Sequence, residues 1–536
     1  MLIMGLNKTE NNKHEDSDST LKSKASGQTV FVREATGLVK STSLLDAFSL
    51  NISNMSIGAL LGVMGLTLVY LPSMSGVNLV LASVLGFLIA IPQIVVYTMM
   101  SSRVPRTGGD YVWVTRSLGG FLGTSISFMG YTLETMAYMA LIVLSAVFAI
   151  GSVGLALGQQ GFFGLAVPSG IQGAQPYLQF GVGAAIFAAL IALNIFKPKA
   201  GYKLVSALTA FGVTITLVAI GVLLHAGRAG VESYINSLGI SGVTYSSLAS
   251  SYKGPTFNFA ATLSIMPLMA AFVYPWLNAA PAVGSEVKNT RALKMSIPLA
   301  ALTSFALLTA AFGTLYYVGG LPFINQALSN QTLVFDYSFN FWTLAMGVAG
   351  NSALAALLGL GWIVWNIGIL AYGIIVVSRY LFAGSFDRFL PEKLSYVSPK
   401  WSSPLVAHVV DLVITITLVG LAAVFYGGFS GLFGAIIASM IYFAFVGISA
   451  AIYAIRKEKG AAKTILIVAG ALNTAVFLFI TYQFLSAPSV WGITPLSEAY
   501  VVGTFLAGAI IYTASKRIHT RKGLNIALAY KEIPPE

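Results

Sequence analysis

Glu134 is the residue whose position most needs a chemical explanation. It lies midway along an apolar run, residues 120 to 150, where an ionisable group costs on the order of 3 kcal/mol or more and by default marks a substrate or ion path. Thr124, Ser127, Tyr131, Glu134 and Tyr138 are spaced 3, 4, 3 and 4, which predicts one polar face on an α-helix. A carboxyl buried on such a stripe can take up and release a proton, so Glu134 is the candidate proton-coupling group. A structurally hydrogen-bonded, protonated glutamate and a partner for a cationic substrate are the competing readings.

Two other apolar runs are long enough to cross a membrane yet carry helix-weakening residues midway. Residues 44 to 70 hold Gly58, Gly62 and Gly65 behind Asn51, Ser53, Asn54 and Ser56; residues 259 to 285 hold Pro267, Pro275 and Pro281 around Phe272-Val273-Tyr274-Pro275-Trp276. A broken helix in a bilayer frees amides and carbonyls, tolerable only where protein or a water-filled cavity satisfies them. Free amides at a half-helix N-terminus suit a carboxylate, and free carbonyls at a C-terminus suit an ammonium. Ser56, Ile57, Gly58 and Ala59 are therefore the candidate carboxylate site, and Phe272, Val273 and Tyr274 the ammonium site. The plainer reading is a glycine-packed helix contact in one run and a proline kink in the other. Phe272, Tyr274, Trp276, Trp362 and Trp365 are candidate pocket walls, and Asn366 a candidate hydrogen-bonder. Arg103, Arg106, Asp110, Glu286 and Lys288 sit at span ends and are candidates for charge pairs that close an inner gate, against plain topology and headgroup contact.

The elements that must hold these groups follow from composition. With 56% hydrophobic and 9% charged residues and a mean hydropathy of +0.81, the chain is expected to be a polytopic membrane protein. Windows of about 20 apolar residues give twelve spans: 44 to 70, 76 to 101, 120 to 150, 176 to 196, 202 to 226, 259 to 285, 296 to 320, 346 to 381, 404 to 426, 431 to 455, 463 to 486 and 495 to 515. The net charge of +12 is a topology signal rather than a nucleic-acid footprint. Alternate loops and the two tails hold every Lys and Arg except Arg228 and Lys253, the positive-inside pattern, and an even span count then puts both termini in the cytoplasm. With no cysteine and four histidines, at 14, 225, 408 and 519, neither thiolate chemistry nor a clustered metal site is expected. His408 and Asp411, three apart in span 9, are expected to pair, and Asp46 at the mouth of span 1 is a gate or cap candidate.

The expected organisation is a disordered cytoplasmic tail (1–40), spans 1 to 5 (41–226), an extracellular loop (227–258), spans 6 to 10 (259–455), spans 11 and 12 (456–516) and a short cytoplasmic tail (517–536). Five is odd, so the two halves must be inverted. The Arg-rich segment 101 to 119 and its counterpart 321 to 342, which holds no Lys or Arg, show the charge reversal this requires.

With these features, Val104-Pro105-Arg106-Thr107-Gly108-Gly109-Asp110-Tyr111 resembles the Pro-Arg-x-Gly-Gly-x-Tyr segment of the amino acid/polyamine/organocation transporter superfamily. Gly284-Ser285-Glu286-Val287-Lys288-Asn289 and Ser378-Arg379-Tyr380, leading to Asp387-Arg388-Phe389-Leu390-Pro391, are similar to its ends of spans 6 and 8. The chain departs from it where Leu60 follows Ile57-Gly58-Ala59, where Tyr274-Pro275-Trp276 replaces Phe-x-Gly, and where Thr290 replaces proline. The resemblance implies an all-α integral membrane protein of twelve transmembrane helices, a 5+5 inverted repeat (LeuT-like) plus two C-terminal helices. It also implies secondary-active amino acid transport, spans 1, 2, 6 and 7 rocking against 3, 4, 8 and 9. Some relatives place a lysine in span 5, near Gly212 here, and the run after Lys203 has none, which favours H+ coupling through Glu134. Na+ stays open, with Ser378 a weak candidate ligand. The expected partners are an amino acid and the lipid bilayer, in a plasma membrane; oligomeric state is not legible. A polyamine or organic-cation carrier, an amino acid exchanger and a non-transporting nutrient sensor are the alternatives; an enzyme is not expected.

Overall fold

The computed structural model describes residues 40–71, 74–167, 172–274, 276–425 and 431–534. The tail expected to be disordered (residues 1–39 of it) and Pro275 lie outside the described residues.

Among the described residues eleven helices are long and apolar enough to cross a membrane, and there are two isolated β-bridges but no strand. The chain is a multi-pass, all-helical membrane protein. Ten of the eleven are spans 2 to 5 and 7 to 12 of the sequence reading. The other, span 1, is Leu44–Asn54 followed by Ile57–Leu68. Span 6 is absent from that set because it is in pieces, Phe259–Leu263, Met266–Phe272 and Ala279–Ala282. Span 5 is a helix over Pro198–Ser237 with a non-helical residue at Gly227, so the expected loop 227–258 begins as helix and holds another, Tyr245–Ser251. Span 8 is Ser352–Phe386, preceded by a separate short helix, Phe341–Gly347.

Span 2 packs on span 7, span 3 on span 8 and span 4 on span 9. These are the pairs that a two-fold axis between inverted halves maps onto themselves. Outside the repeat, span 11 lies along span 10, where Gly447 meets the Gly470 carbonyl, and Gly508 of span 12 seats on Ser125 of span 3. Small residues are what allow such close backbone approach. Leu88, Leu302, Val413, Leu472 and Ile510 stand outward and exposed, as a lipid-facing belt requires.

Candidate functional site

Span 1 breaks because Met55 (φ −82°, ψ 64°) and Ser56 (φ −71°, ψ 83°) leave the helical region. The last bond before the break is Met55 N–H to Asn51 O at 2.9 Å, and the first after it is Leu60 N–H to Ser56 O at 3.1 Å. Among the described residues, the amides of Ser56, Ile57, Gly58 and Ala59 have no acceptor, and the buried Ser56 hydroxyl has no partner. Four free amides are what a helix start leaves; here they lie in the protein interior.

In span 6 the helix ends at Phe272. Trp276 Nε1 donates back to the carbonyls of Ala270 and Ala271 at 3.1 and 3.2 Å, and Tyr138 OH donates to Ala271 O at 3.2 Å. The carbonyls of Phe272, Val273 and Tyr274 have no donor among the described residues. Trp276 stacks on Tyr138, with centroids 4.8 Å apart. Tyr274 differs from its expected role as a wall: its hydroxyl donates to Ser83 O at 3.1 Å and its ring lies against Gly86. Only its backbone belongs to the break.

The two breaks meet. Asn54 Nδ2 donates to Asn278 Oδ1 at 2.8 Å, Ala280 N–H donates to Asn51 Oδ1 at 3.0 Å, and Asn278 Nδ2 reaches Tyr380 OH at 3.3 Å. Tyr372 donates to Asn54 Oδ1. Trp342 Nε1 donates to Gly58 O at 2.8 Å.

Span 8 supplies two indoles that use the glycines of span 1 as seats. A Cβ on Gly58 would lie 1.9 Å from Trp365 Cδ1, and one on Gly62 1.9 Å from Trp362 Nε1. Trp365 also lies against Gly212 and donates to Thr216 Oγ1 at 3.1 Å, so an indole fills the corner near Gly212. Asn366 is engaged elsewhere, accepting from Ser145 at 2.8 Å and donating to Trp362 O at 3.0 Å. Ser378 donates to Ile375 O and accepts from Arg379.

Glu134 is buried. Its Oε2 accepts from Thr135 Oγ1 at 3.1 Å, its Oε1 has no hydrogen bond, and Ser439, Tyr138, Tyr372, Tyr380 and Tyr500 surround it. Span 3 contains a π-helical turn, Phe128–Thr132, within the row Thr124, Ser127, Tyr131, Glu134 and Tyr138, all of which are buried. Such a turn holds an extra residue and rotates everything beyond it. Thr124 bonds back to Gly120 O, whereas Tyr131 packs on Tyr380 and Tyr442.

The charged residues pair differently from the set expected at the gate. Glu286 takes both arms of Arg379, each at 2.8 Å, and Tyr202 OH at 3.1 Å. Arg103 pairs with Glu458 and Arg116 with Asp387. Arg106 donates to Pro534 O at 2.7 Å, Asp110 accepts from Tyr97, and Lys288 is exposed. What closes this basic face is largely backbone: Gly108 N–H to Ala282 O at 2.8 Å and Thr42 N–H to Glu286 O at 2.9 Å, with Thr107 and Ser285 joined through their hydroxyls. The opposite face is closed by Asn325 Nδ2 on Val77 O at 2.8 Å and Tyr316 OH under Leu79 N–H at 2.9 Å. Asp46 is the third residue of a capping box with Ser43 and accepts from Ser206. His408 and Asp411 do not pair: Asp411 accepts from Thr415 at 2.9 Å, and His408 Nδ1 has no partner. Among the described residues, no three His, Asp or Glu side chains group to hold a metal.

Two interrupted helices, meeting inside a multi-span bundle and closed toward both faces, are the architecture of a membrane carrier for small solutes. The model of the amino acid permease family matches residues 43–515, and the chain belongs to that family. It is also similar to "Uncharacterized protein 399" of Sulfolobus islandicus rod-shaped virus 1, at 22% identity over 497 residues, covering 90% of this chain and 97% of that protein.

Proposed function

We propose that this chain carries a zwitterionic amino acid across a plasma membrane by alternating access, with the basic face and both termini cytoplasmic. The observation that carries the reading is the juxtaposition of four acceptor-free amides, Ser56 to Ala59, with three donor-free carbonyls, Phe272 to Tyr274, across the Asn54 and Asn278 contact. An unpaired buried amide or carbonyl costs about 1–3 kcal/mol, so these groups are poised for a ligand with one anionic and one cationic end. The span 1 break carries no acidic residue beside Gly58, which favours a zwitterionic substrate over a polyamine. Spans 1, 2, 6 and 7 rock against 3, 4, 8 and 9 across the surface where Gly58 and Gly62 meet the indoles of span 8.

In this reading the coupling ion is a proton held by Glu134. Trp365 fills the corner near Gly212, and of the buried carboxyls with a bare oxygen among the described residues, Glu134, Asp110 and Asp411, Glu134 is the one whose field reaches Tyr372, which donates to Asn54 at the break. The test is uptake of a panel of radiolabelled amino acids and polyamines into proteoliposomes, with and without an inward proton gradient, for the native chain and Glu134→Gln. Gradient-driven uptake of a zwitterionic class, lost in the variant, supports the reading. Counterflow without a gradient response makes the protein an exchanger, and saturable binding without flux makes it a sensor.

A further inference from the structure

The segment between spans 7 and 8 lies on the face opposite the basic one and brings a hydrogen-bond donor to the span 1 break. Its short helix, Phe341–Gly347, starts in a complete capping box. Asn340 Oδ1 accepts from the amides of Trp342 and Thr343 at 2.8 and 3.1 Å, and Thr343 Oγ1 accepts from Asn340 N–H at 3.0 Å. Two anchors of the segment lie on the scaffold spans. Ser338 donates to Ser152 of span 3 at 3.0 Å, and the Trp342 ring rests on Gly361 of span 8, where a Cβ would lie 3.0 Å from Cζ3. Trp342 is fully buried, and its Nε1 donates across to span 1, to the Gly58 carbonyl at 2.8 Å. The same segment backs span 1 again at Gly65, where a Cβ would lie 2.8 Å from the Phe339 carbonyl.

The Gly58 carbonyl shares a peptide unit with the Ala59 N–H, one of the four amides without an acceptor. A peptide unit is planar and trans, so its C=O and N–H point opposite ways. Trp342 holds one end of the unit, and the other end points back toward the break, as the first amides of a helix do. A donor on the carbonyl makes the N–H of the same unit a stronger donor, because hydrogen bonds in a chain polarise one another. We propose that Trp342 is a positioning residue that ties closure of the opposite face to the substrate's carboxylate, through a chain running from carboxylate to Ala59 N–H, Gly58 C=O and Trp342 N–H. This rests on the carboxylate site of the transport reading above. A carboxylate on the Ala59 amide tightens the Trp342 bond and draws span 1 against the segment anchored on spans 3 and 8. With the site empty the bond is weaker, and that face opens more readily. A ligand shifts such an equilibrium only by its differential affinity for the two states, and the Trp342 bond, made only in the closed state, supplies that difference. A neutral acceptor in place of the carboxylate makes the weaker bond, so closure distinguishes an amino acid from its amide.

The chain has no cysteine, so Val77→Cys places a single thiol at a buried position in the closure that Asn325 makes on the Val77 carbonyl. An impermeant thiol reagent is applied from the opposite face to the full-length protein in proteoliposomes. The probes are the best-transported amino acid of the panel above and its α-carboxamide, which keeps the side chain and the ammonium. The amino acid at saturation should slow labelling about fivefold, the factor one hydrogen bond supplies, and the carboxamide less than about twofold. Trp342→Phe keeps an aromatic ring and loses the N–H, so protection by the amino acid should fall to the level of the carboxamide and its KM should rise about fivefold. Trp342→His gives up the fused ring but carries an N–H at the matching ring position, so it should keep more of the protection than Trp342→Phe. A packing role for Trp342 predicts the reverse order, and that order overturns the proposal. Equal protection by amino acid and carboxamide in the native background also overturns it, and needs neither Trp342 variant to fold. Intact counterflow with no protection overturns it and leaves transport standing. A native chain that neither binds nor moves any amino acid overturns the transport reading and this proposal with it.

Discussion

Gly58→Ala is the smallest change that tests whether the span 1 amides are held in place by span 8. The added methyl would lie 1.9, 2.2 and 2.4 Å from Cδ1, Cγ and Nε1 of Trp365, whereas unstrained carbon contacts fall at about 3.5–4.0 Å. The ring would have to retreat by well over an ångström. Its far side already rests on Gly212, where a Cβ would meet the ring at 2.9 Å, and its N–H is tied to Thr216. Overpacking of this kind costs about 1–3 kcal/mol, and losing the Thr216 bond adds about 1 kcal/mol, so the penalty is about 2–4 kcal/mol. Expressed in substrate affinity, the lower figure is a loss of roughly thirtyfold. Uptake at sub-saturating substrate should fall by at least that factor, and the thermal midpoint in detergent should drop. Trp365→Phe in the same chain keeps Cγ and Cδ1 but loses Nε1, the fused ring and the tie to Thr216, so the smaller ring can shift off the methyl and should recover part of both. The control is Gly181→Ala in span 4, where a Cβ meets nothing within 4 Å and helix propensity predicts neutrality or a gain of up to about 1 kcal/mol. Native behaviour in Gly58→Ala, or no rescue by Trp365→Phe, would refute the reasoning.

Glu286→Gln leaves the buried Arg379 guanidinium with half its partner, and breaking such a pair typically costs about 3–5 kcal/mol. Its thermal midpoint should fall further than that of Glu286→Leu combined with Arg379→Met, which removes both charges; equal losses would show that the pair is not coupled. Asn278→Ala removes the bridge to Asn54 and Tyr380 and should raise the substrate KM with expression unchanged, whereas an unchanged KM would separate this contact from the site. Truncation after Gly523 removes Ile526, Ala529 and Tyr530, all buried, and the carbonyls of Glu532 and Pro534 that Arg116 and Arg106 hold. A thiol at Ser285 should then be labelled faster from the basic face; an unchanged rate would mean that the tail does not brace the gate.

The spans and their two interruptions were legible because each depends on about twenty consecutive residues: apolar content gives length, and proline or clustered small polar residues mark the break. Glu134 was legible for the same reason, as a charge within an apolar run. Its surroundings were not. A π-turn is one extra residue with no composition of its own, so the even spacing of Thr124, Ser127, Tyr131, Glu134 and Tyr138 gave no sign of the one at Phe128–Thr132. Pairings across the fold were equally hidden. Glu286 and Arg379 lie 93 residues apart, Asn54 and Asn278 224, and Arg103 and Glu458 355. At each span end several opposite charges are available, and tertiary placement alone chooses among them. Arg379 carried one signal, its place in the motif Ser378-Arg379-Tyr380, but nothing in that motif says which acid it meets.

The distribution of bonds across the moving surface favours motion at the glycine contacts over motion at the charged ends. Where span 1 meets span 8 beyond the break, Gly58 and Gly62 present bare backbone to two indoles, and dispersion contacts are individually weak. At the basic end, Arg379 and Glu286 hold span 8 to the end of span 6 through two charge-assisted bonds, the kind roughly twice as strong as neutral ones. A rocking motion that opens the opposite face first can keep that pair intact, whereas one that opens the basic face must break it and undock Thr107 and Gly108 from span 6 as well. The basic face should therefore be the one whose opening limits turnover.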